Sequence, residues 1–111
     1  MRVRIVEDTK ALAHLLRLGL EDEGHDVVTS TREFERLLTP APWEDVDAAL
    51  IDLYLPGIKG TDILRYLLDH HPEVKRVAMT ASLSMADDAV GLARAVLVKP
   101  FRTADLVEAL R

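Results

Sequence analysis

The chain has 111 residues, 49% of them apolar, which suits a single domain with a core that needs no cross-link. It contains no cysteine, which excludes disulfide staples, thiol catalysis and thiolate metal sites. The net charge is −5, with Lys and Arg scattered among acids, so direct nucleic-acid binding is not expected; no apolar run reaches the roughly 18 to 20 residues of a membrane span.

Met1-Arg2-Val3-Arg4-Ile5-Val6 goes straight into a strand at Val3–Val6 without the long apolar stretch of a leader, and a cytoplasmic protein is the simplest expectation. Glu7-Asp8 ends that strand. Leu12, Leu15, Leu16, Gly19 and Leu20 recur at i, i+3, i+4, i+7 and i+8, one face of a first helix that Gly24 terminates. A second strand is expected at Asp26–Thr29. Ser30-Thr31-Arg32-Glu33 reads as a capping box opening a short second helix, which Pro40 and Pro42 close.

The third strand, Ala48–Leu53, is apolar at nearly every position and carries Asp52 near its end. A turn from Gly57 to Gly60 leads to a third helix marked by Ile63, Leu64, Leu67 and Leu68 and stopped before Pro72. The fourth strand, Val77–Met79, ends in Thr80. A weaker fourth helix lies between Ser84 and Ala93, with Asp87-Asp88 a suitable start and Gly91 a weakness. The fifth strand, Ala95–Val98, ends in Lys99, and Thr103 caps a brief fifth helix. Five strands alternating with five helices imply an α/β fold, a three-layer doubly wound parallel sheet covered on both faces.

Ligands of open parallel sheets bind outside the carboxyl ends of the strands, where the strand order reverses. If the order is the flavodoxin-like 2-1-3-4-5, Glu7, Asp8 and Asp52 face one another across that crevice, with Thr80 and Lys99 beyond Asp52. Three carboxylates raise each other's pKa unless a cation is present, and oxygen-only ligands suit Mg²⁺. A metal, an ammonium and a hydroxyl around one carboxylate suit a phosphoryl group under transfer, with that carboxylate as nucleophile.

At this point the sequence resembles the receiver domain of bacterial two-component response regulators over essentially all of residues 1–111. The motifs are Ile5-Val6-Glu7-Asp8, Leu50-Ile51-Asp52-Leu53-Tyr54-Leu55-Pro56-Gly57 with Gly60, Met79-Thr80-Ala81, and Val98-Lys99-Pro100-Phe101. The resemblance implies a phosphoryl transfer to Asp52 from the phosphohistidine of a sensor histidine kinase or histidine phosphotransfer protein. It implies Mg²⁺ held by Asp8, Asp52 and the backbone carbonyl of Tyr54, with Glu7 acting through water. Lys99 pairs with Asp52 and then with a phosphoryl oxygen, while Thr80 moves its hydroxyl onto the phosphoryl group. The Lys99–Pro100 bond is expected in cis. An output domain or effector protein reads the switch, and homodimerisation is compatible with it.

Three features depart from the family pattern. Val96 stands where receivers commonly carry Tyr or Phe. The stretch from Thr80 to Lys99 is short by about one helical turn, so a stunted fourth helix is expected. The fifth helix is brief. A phosphorylation-independent pseudo-receiver is the alternative function. A phosphohydrolase of the haloacid dehalogenase type needs Asp-x-Asp after the first strand, and Glu7-Asp8-Thr9 lacks it. His70-His71 are read as residues favoured by a helix C-terminus, His14 and His25 as solvated, and Met79 and Met85 as packing residues. Trp43 is read as a cover for the sheet edge.

Overall fold

Strand signals along the chain become β1 (Arg2–Val6), β2 (Asp26–Ser30), β3 (Ala48–Asp52), the two-residue β4 (Tyr54–Leu55) and β5 (Ile58–Lys59), β6 (Lys75–Thr80) and β7 (Ala95–Val98). The helices are α1 (Lys10–Asp22), α2 (Gly60–His70), α3 (Leu83–Ala86) and α4 (Thr103–Leu110). The computed structural model describes all residues, Met1–Arg111. The main sheet is parallel in the order β2-β1-β3-β6-β7, which is the expected 2-1-3-4-5 once the β4–β5 hairpin is set aside. That hairpin turns at Pro56-Gly57, where Gly57 has φ +79°.

Register sorts the side chains. Ile5 pairs with Leu50, and Leu50 with Val77; all three face α1 and α4, against Leu20, Leu106 and Leu110. Val6, Ala49, Ile51 and Ala78 point the other way, toward Ile63, Leu64 and Leu67 of α2. β3 is buried at every position, as a strand covered on both sides must be. The Lys99–Pro100 peptide bond is cis.

α1 ends as expected: the Gly24 N–H donates to the Glu21 carbonyl and the His25 N–H to the Leu20 carbonyl, a Schellman pair made possible by φ +90° at Gly24. Its buried stripe is rotated from the expected one. Ala13 and Leu20 are buried, whereas Leu15 is 65% exposed. The apolar count on α1 is too high for one face, and Leu15 and Leu18 are left outside.

The second helix needs correction. Ser30 belongs to β2, no capping box forms, and Phe34–Leu38 is a 3-10 segment entered through Glu33 in the left-handed region, φ +54°. Pro40 forces Thr39 to be extended (φ −132°, ψ 160°), so too few residues remain for an α-helix. A second 3-10 turn, Ala41–Trp43, follows, and Trp43 is buried with its Nε1 donating to the Leu37 carbonyl at 2.7 Å. The domain thus has four α-helices, not five.

The fourth expected helix is short, as the missing turn required: α3 passes into a 3-10 turn at Asp87–Ala89 and stops before Gly91. Asp87-Asp88 lie at the end of this segment and do not start it. The last helix is capped by Asp105, whose Oδ2 accepts the Arg102 N–H at 3.1 Å; Thr103 is the first helical residue.

Candidate functional site

Four strand ends converge at the carboxyl edge of the sheet. β1 runs into Glu7 and Asp8, β3 ends at Asp52, β6 at Thr80, and Lys99 follows β7. Backbone bonds fix these ends to one another: the Leu53 N–H donates to the Met79 carbonyl at 2.9 Å and the Lys99 N–H to the Thr80 carbonyl at 2.8 Å. The result is an open cleft of about 390 Å³ lined by Glu7, Asp8, Asp52, Tyr54, Thr80 and Lys99, among others.

Lys99 is the centre of the charge arrangement. Its Nζ donates to Glu7 Oε1 at 2.6 Å and to Asp52 Oδ2 at 2.7 Å. Burial lowers the Lys99 pKa, but the hydrogen bonds and charges of Asp52 and Glu7 outweigh it and hold it above the ordinary lysine value. Glu7 is fully buried, and that burial pushes its carboxyl up to about 7 despite the hydrogen bonds from Lys99 and the Thr9 N–H. One ammonium therefore serves two buried carboxylates.

Asp52 is 4% exposed, and its other oxygen, Oδ1, accepts the Tyr54 N–H at 2.9 Å. Tyr54 itself is 74% exposed. Asp8 is exposed at the rim. Ligand oxygens of Glu7, Asp8 and Asp52 lie within 4.8 Å of one another, a spacing that one hard cation can span. The donor set is all oxygen, which fits Mg²⁺ and offers nothing to a thiophilic metal.

Thr80 is buried, and its hydroxyl is committed locally. Oγ1 accepts the Ser82 N–H at 3.0 Å and donates to the Ser82 carbonyl at 3.2 Å, an ST-turn that holds it off Asp52. The ends predicted to meet do meet, then, with Thr80 bonded elsewhere. Met85, read as a packing residue, also borders the cleft.

Sequence reasoning missed the closest backbone approach at the site. A Cβ on Gly60 would lie 2.1 Å from the Asp52 carbonyl oxygen and 2.7 Å from Leu53 Cα, so the start of α2 touches the strand end that carries Asp52. The signal was the place of Gly60 in the Asp52 motif, which does not by itself separate a close approach from a turn. The histidines stand apart from this cleft: His70 packs its ring on Tyr66, with centroids 4.4 Å apart.

Fold and site together define a doubly wound signalling domain with an acidic, oxygen-lined crevice at the switch point of its sheet. The chain belongs to the response regulator receiver domain family, whose sequence profile matches residues 3–111. It is 36% identical over 115 residues to the phosphate regulon transcriptional regulatory protein PhoB of Rhizobium meliloti, covering 96% of this chain and 48% of that protein. It is 34% identical over 109 residues to the two-component response regulator PhoP of Pseudomonas aeruginosa, again 96% of this chain and 48% of the relative. The chain thus spans about half the length of the curated relatives it matches.

Among solved structures, a CheY-like receiver domain protein from Methanospirillum hungatei superposes with a TM-score of 0.81 at 27% identity, covering 96% of this chain and 87% of that one. Response regulator TrrA of Thermotoga maritima, solved with Mg²⁺ and BeF, superposes with a TM-score of 0.87 at 24% identity, covering 99% and 98%, and at that identity supports the fold.

Proposed function

We propose that the domain is a phospho-acceptor switch in which Asp52 takes a phosphoryl group from the phosphohistidine of a sensor histidine kinase or a histidine phosphotransfer protein. The observation that carries this reading is the Lys99 ammonium, 2.6 Å from Glu7 and 2.7 Å from Asp52, beside an acidic cluster that includes Asp8. An Asp52 carboxylate oxygen forms the new P–O bond while the donor's P–N bond breaks and its electron pair stays on the imidazole. Glu7, Asp8, Asp52 and the Tyr54 carbonyl are the residues assigned to Mg²⁺, which when bound neutralises charge between the incoming phosphoryl group and the carboxylates.

Lys99 would then exchange its Asp52 partner for a phosphoryl oxygen. Thr80 would exchange the Ser82 backbone for another, and this exchange is the conformational step, since it releases the loop that opens α3. Val96, half-buried on β7, has no ring to follow the movement, so the signal leaves through the Thr80–Ser82 loop itself. Many relatives are DNA-binding response regulators of about twice this length, and an output domain or effector protein is accordingly assigned to reading the switch.

The test is direct. Acetyl phosphate with Mg²⁺ adds one phosphoryl group to the wild type by intact mass, and beryllofluoride with Mg²⁺ shifts its amide spectrum; Asp52→Asn loses both responses. Equal behaviour of the two proteins would sink the assignment.

A further inference from the structure

Away from Asp52, the failure of the second helix to form leaves a cleft of about 490 Å³ at the outer edge of β1 and β2, and it shares no lining residue with the Asp52 crevice. Alternation on β1 puts Arg4 on the same face as Val6, toward the layer where a helix was expected. The Arg4 guanidinium is half-buried. Nε donates to the Pro42 carbonyl at 3.0 Å, Nη1 to the Ser30 hydroxyl at 2.9 Å, and the group lies 5.9 Å from the centre of the Trp43 ring. None of these partners carries a negative charge.

A partly desolvated cation without a counter-charge is costly, and burial together with the charge of Arg2 pulls the Arg4 pKa below its ordinary value. Two more arginines line the same cleft. Arg36 pairs with Glu33 at 3.2 Å, which uses the only acid there. Arg32 is exposed and belongs to no ion pair of the chain. Ser30, on the same face of the sheet as Arg4, holds its hydroxyl in the wall of the cleft, which Thr29 and Thr31 also line. In a protein of net charge −5, this is a local excess of positive charge in a concave site, which concentrates anions.

We propose that this cleft binds a phosphate group, with Arg4 and Arg32 supplying charge and the Ser30 hydroxyl supplying a further hydrogen bond. Forked guanidinium donors plus a hydroxyl match a tetrahedral oxyanion with many acceptor sites. The group reaches the cleft either as inorganic phosphate or as the phosphomonoester of a small molecule. Occupancy supplies the counter-charge that Arg4 lacks and ties β1, β2 and the 3-10 segment together.

Trp43, the chain's single tryptophan, sits beneath Arg4 and serves as the reporter. The Asp52→Asn protein in EDTA, which silences the other site, is titrated at constant ionic strength with inorganic phosphate, with ribose 5-phosphate and with chloride. The expected result is a saturable Trp43 fluorescence change with a phosphate ligand, accompanied by amide shifts at Ser30 and Thr31, and no saturable change with chloride. Tighter binding of ribose 5-phosphate than of inorganic phosphate identifies a phosphomonoester, and the reverse order identifies the free ion. Arg32→Gln, at an exposed position, weakens binding at least fivefold. A flat titration, a chloride response equal to that of phosphate, or a smaller effect of Arg32→Gln overturns the proposal.

Discussion

One face of the sheet is closed by two regular helices and the other by a patchwork. α1 and α4 meet closely enough that a Cβ on Gly19 would stand 3.1 Å from Thr103 Cγ2. Opposite them, α2 shares its layer with two 3-10 turns and the short α3, yet this side holds the larger core cluster, 16 buried residues against 10. Phe34, Leu37 and Trp43 fill from irregular backbone the space that a helix would have filled. Burial demands apolar side chains at a place, not a particular backbone, and the sheet is indifferent to which kind of segment supplies them.

The comparison predicts different costs for equal truncations. Leu20, fully buried between α1 and the sheet, has rigid neighbours, and Leu20→Ala is expected to lower the unfolding free energy by about 3 to 4 kcal/mol. Leu37 is 3% exposed on the 3-10 segment, whose backbone can close around a void; Leu37→Ala should cost about 2 kcal/mol. Urea unfolding of both variants measures the difference. Equal costs would mean that the patchwork face is as rigid as the helical one.

Gly60 lies on the patchwork side but has no room to relax, because its neighbours are the backbone of Asp52 and Leu53. Gly60→Ala is expected to cost about 3 kcal/mol and to disturb Asp52 as well. The second effect distinguishes it from Leu37→Ala: beryllofluoride binding should weaken in Gly60→Ala and stay unchanged in Leu37→Ala under conditions where both are folded.

What the sequence made legible follows the same division. Strands announced themselves because β3 and β6 must be apolar on both faces, and the polar residue ending each run stood out against that background; Glu7, Asp52, Thr80 and Lys99 were found this way. The second helix was misread because Ser30-Thr31-Arg32-Glu33 has the letters of a capping box while the Ser30 hydroxyl is taken by Arg4 and Pro40 shortens the segment. Leu15 was misplaced because α1 carries more leucines than its buried stripe can use. The fit of Gly60 against Asp52 depends on three-dimensional approach, and the local Thr80–Ser82 turn is not periodic, so neither left a periodic trace.

A smaller effect concerns charge at the site. Glu7 ionises at about 7 in the metal-free fold against 4.5 when unfolded, so between these values the folded state holds the extra proton. Its contribution to stability therefore falls as pH rises from about 4.5 to about 7 and is constant above that. Melting of the metal-free protein from pH 4.5 to 8 should show this decline superimposed on other titrations, and Glu7→Gln should remove it. An unchanged slope in the variant would assign the decline to another group.

The least costly change is at the rim. Tyr54 is 74% exposed, so Tyr54→Ala should alter stability by less than about 0.5 kcal/mol. Its backbone N–H still holds Asp52 Oδ1, which keeps the acceptor in place whatever the side chain. Tyr54 nevertheless lines the cleft through which water must approach a phosphorylated Asp52. On the phospho-acceptor reading, removing the ring should speed loss of the phosphoryl group by up to roughly fivefold, a barrier change of about 1 kcal/mol. Following the decay of the phosphorylated form by intact mass compares the two proteins. An unchanged rate would mean that water reaches Asp52 from the Ser82 side of the cleft, and Ser82→Ala would then be the variant whose decay changes.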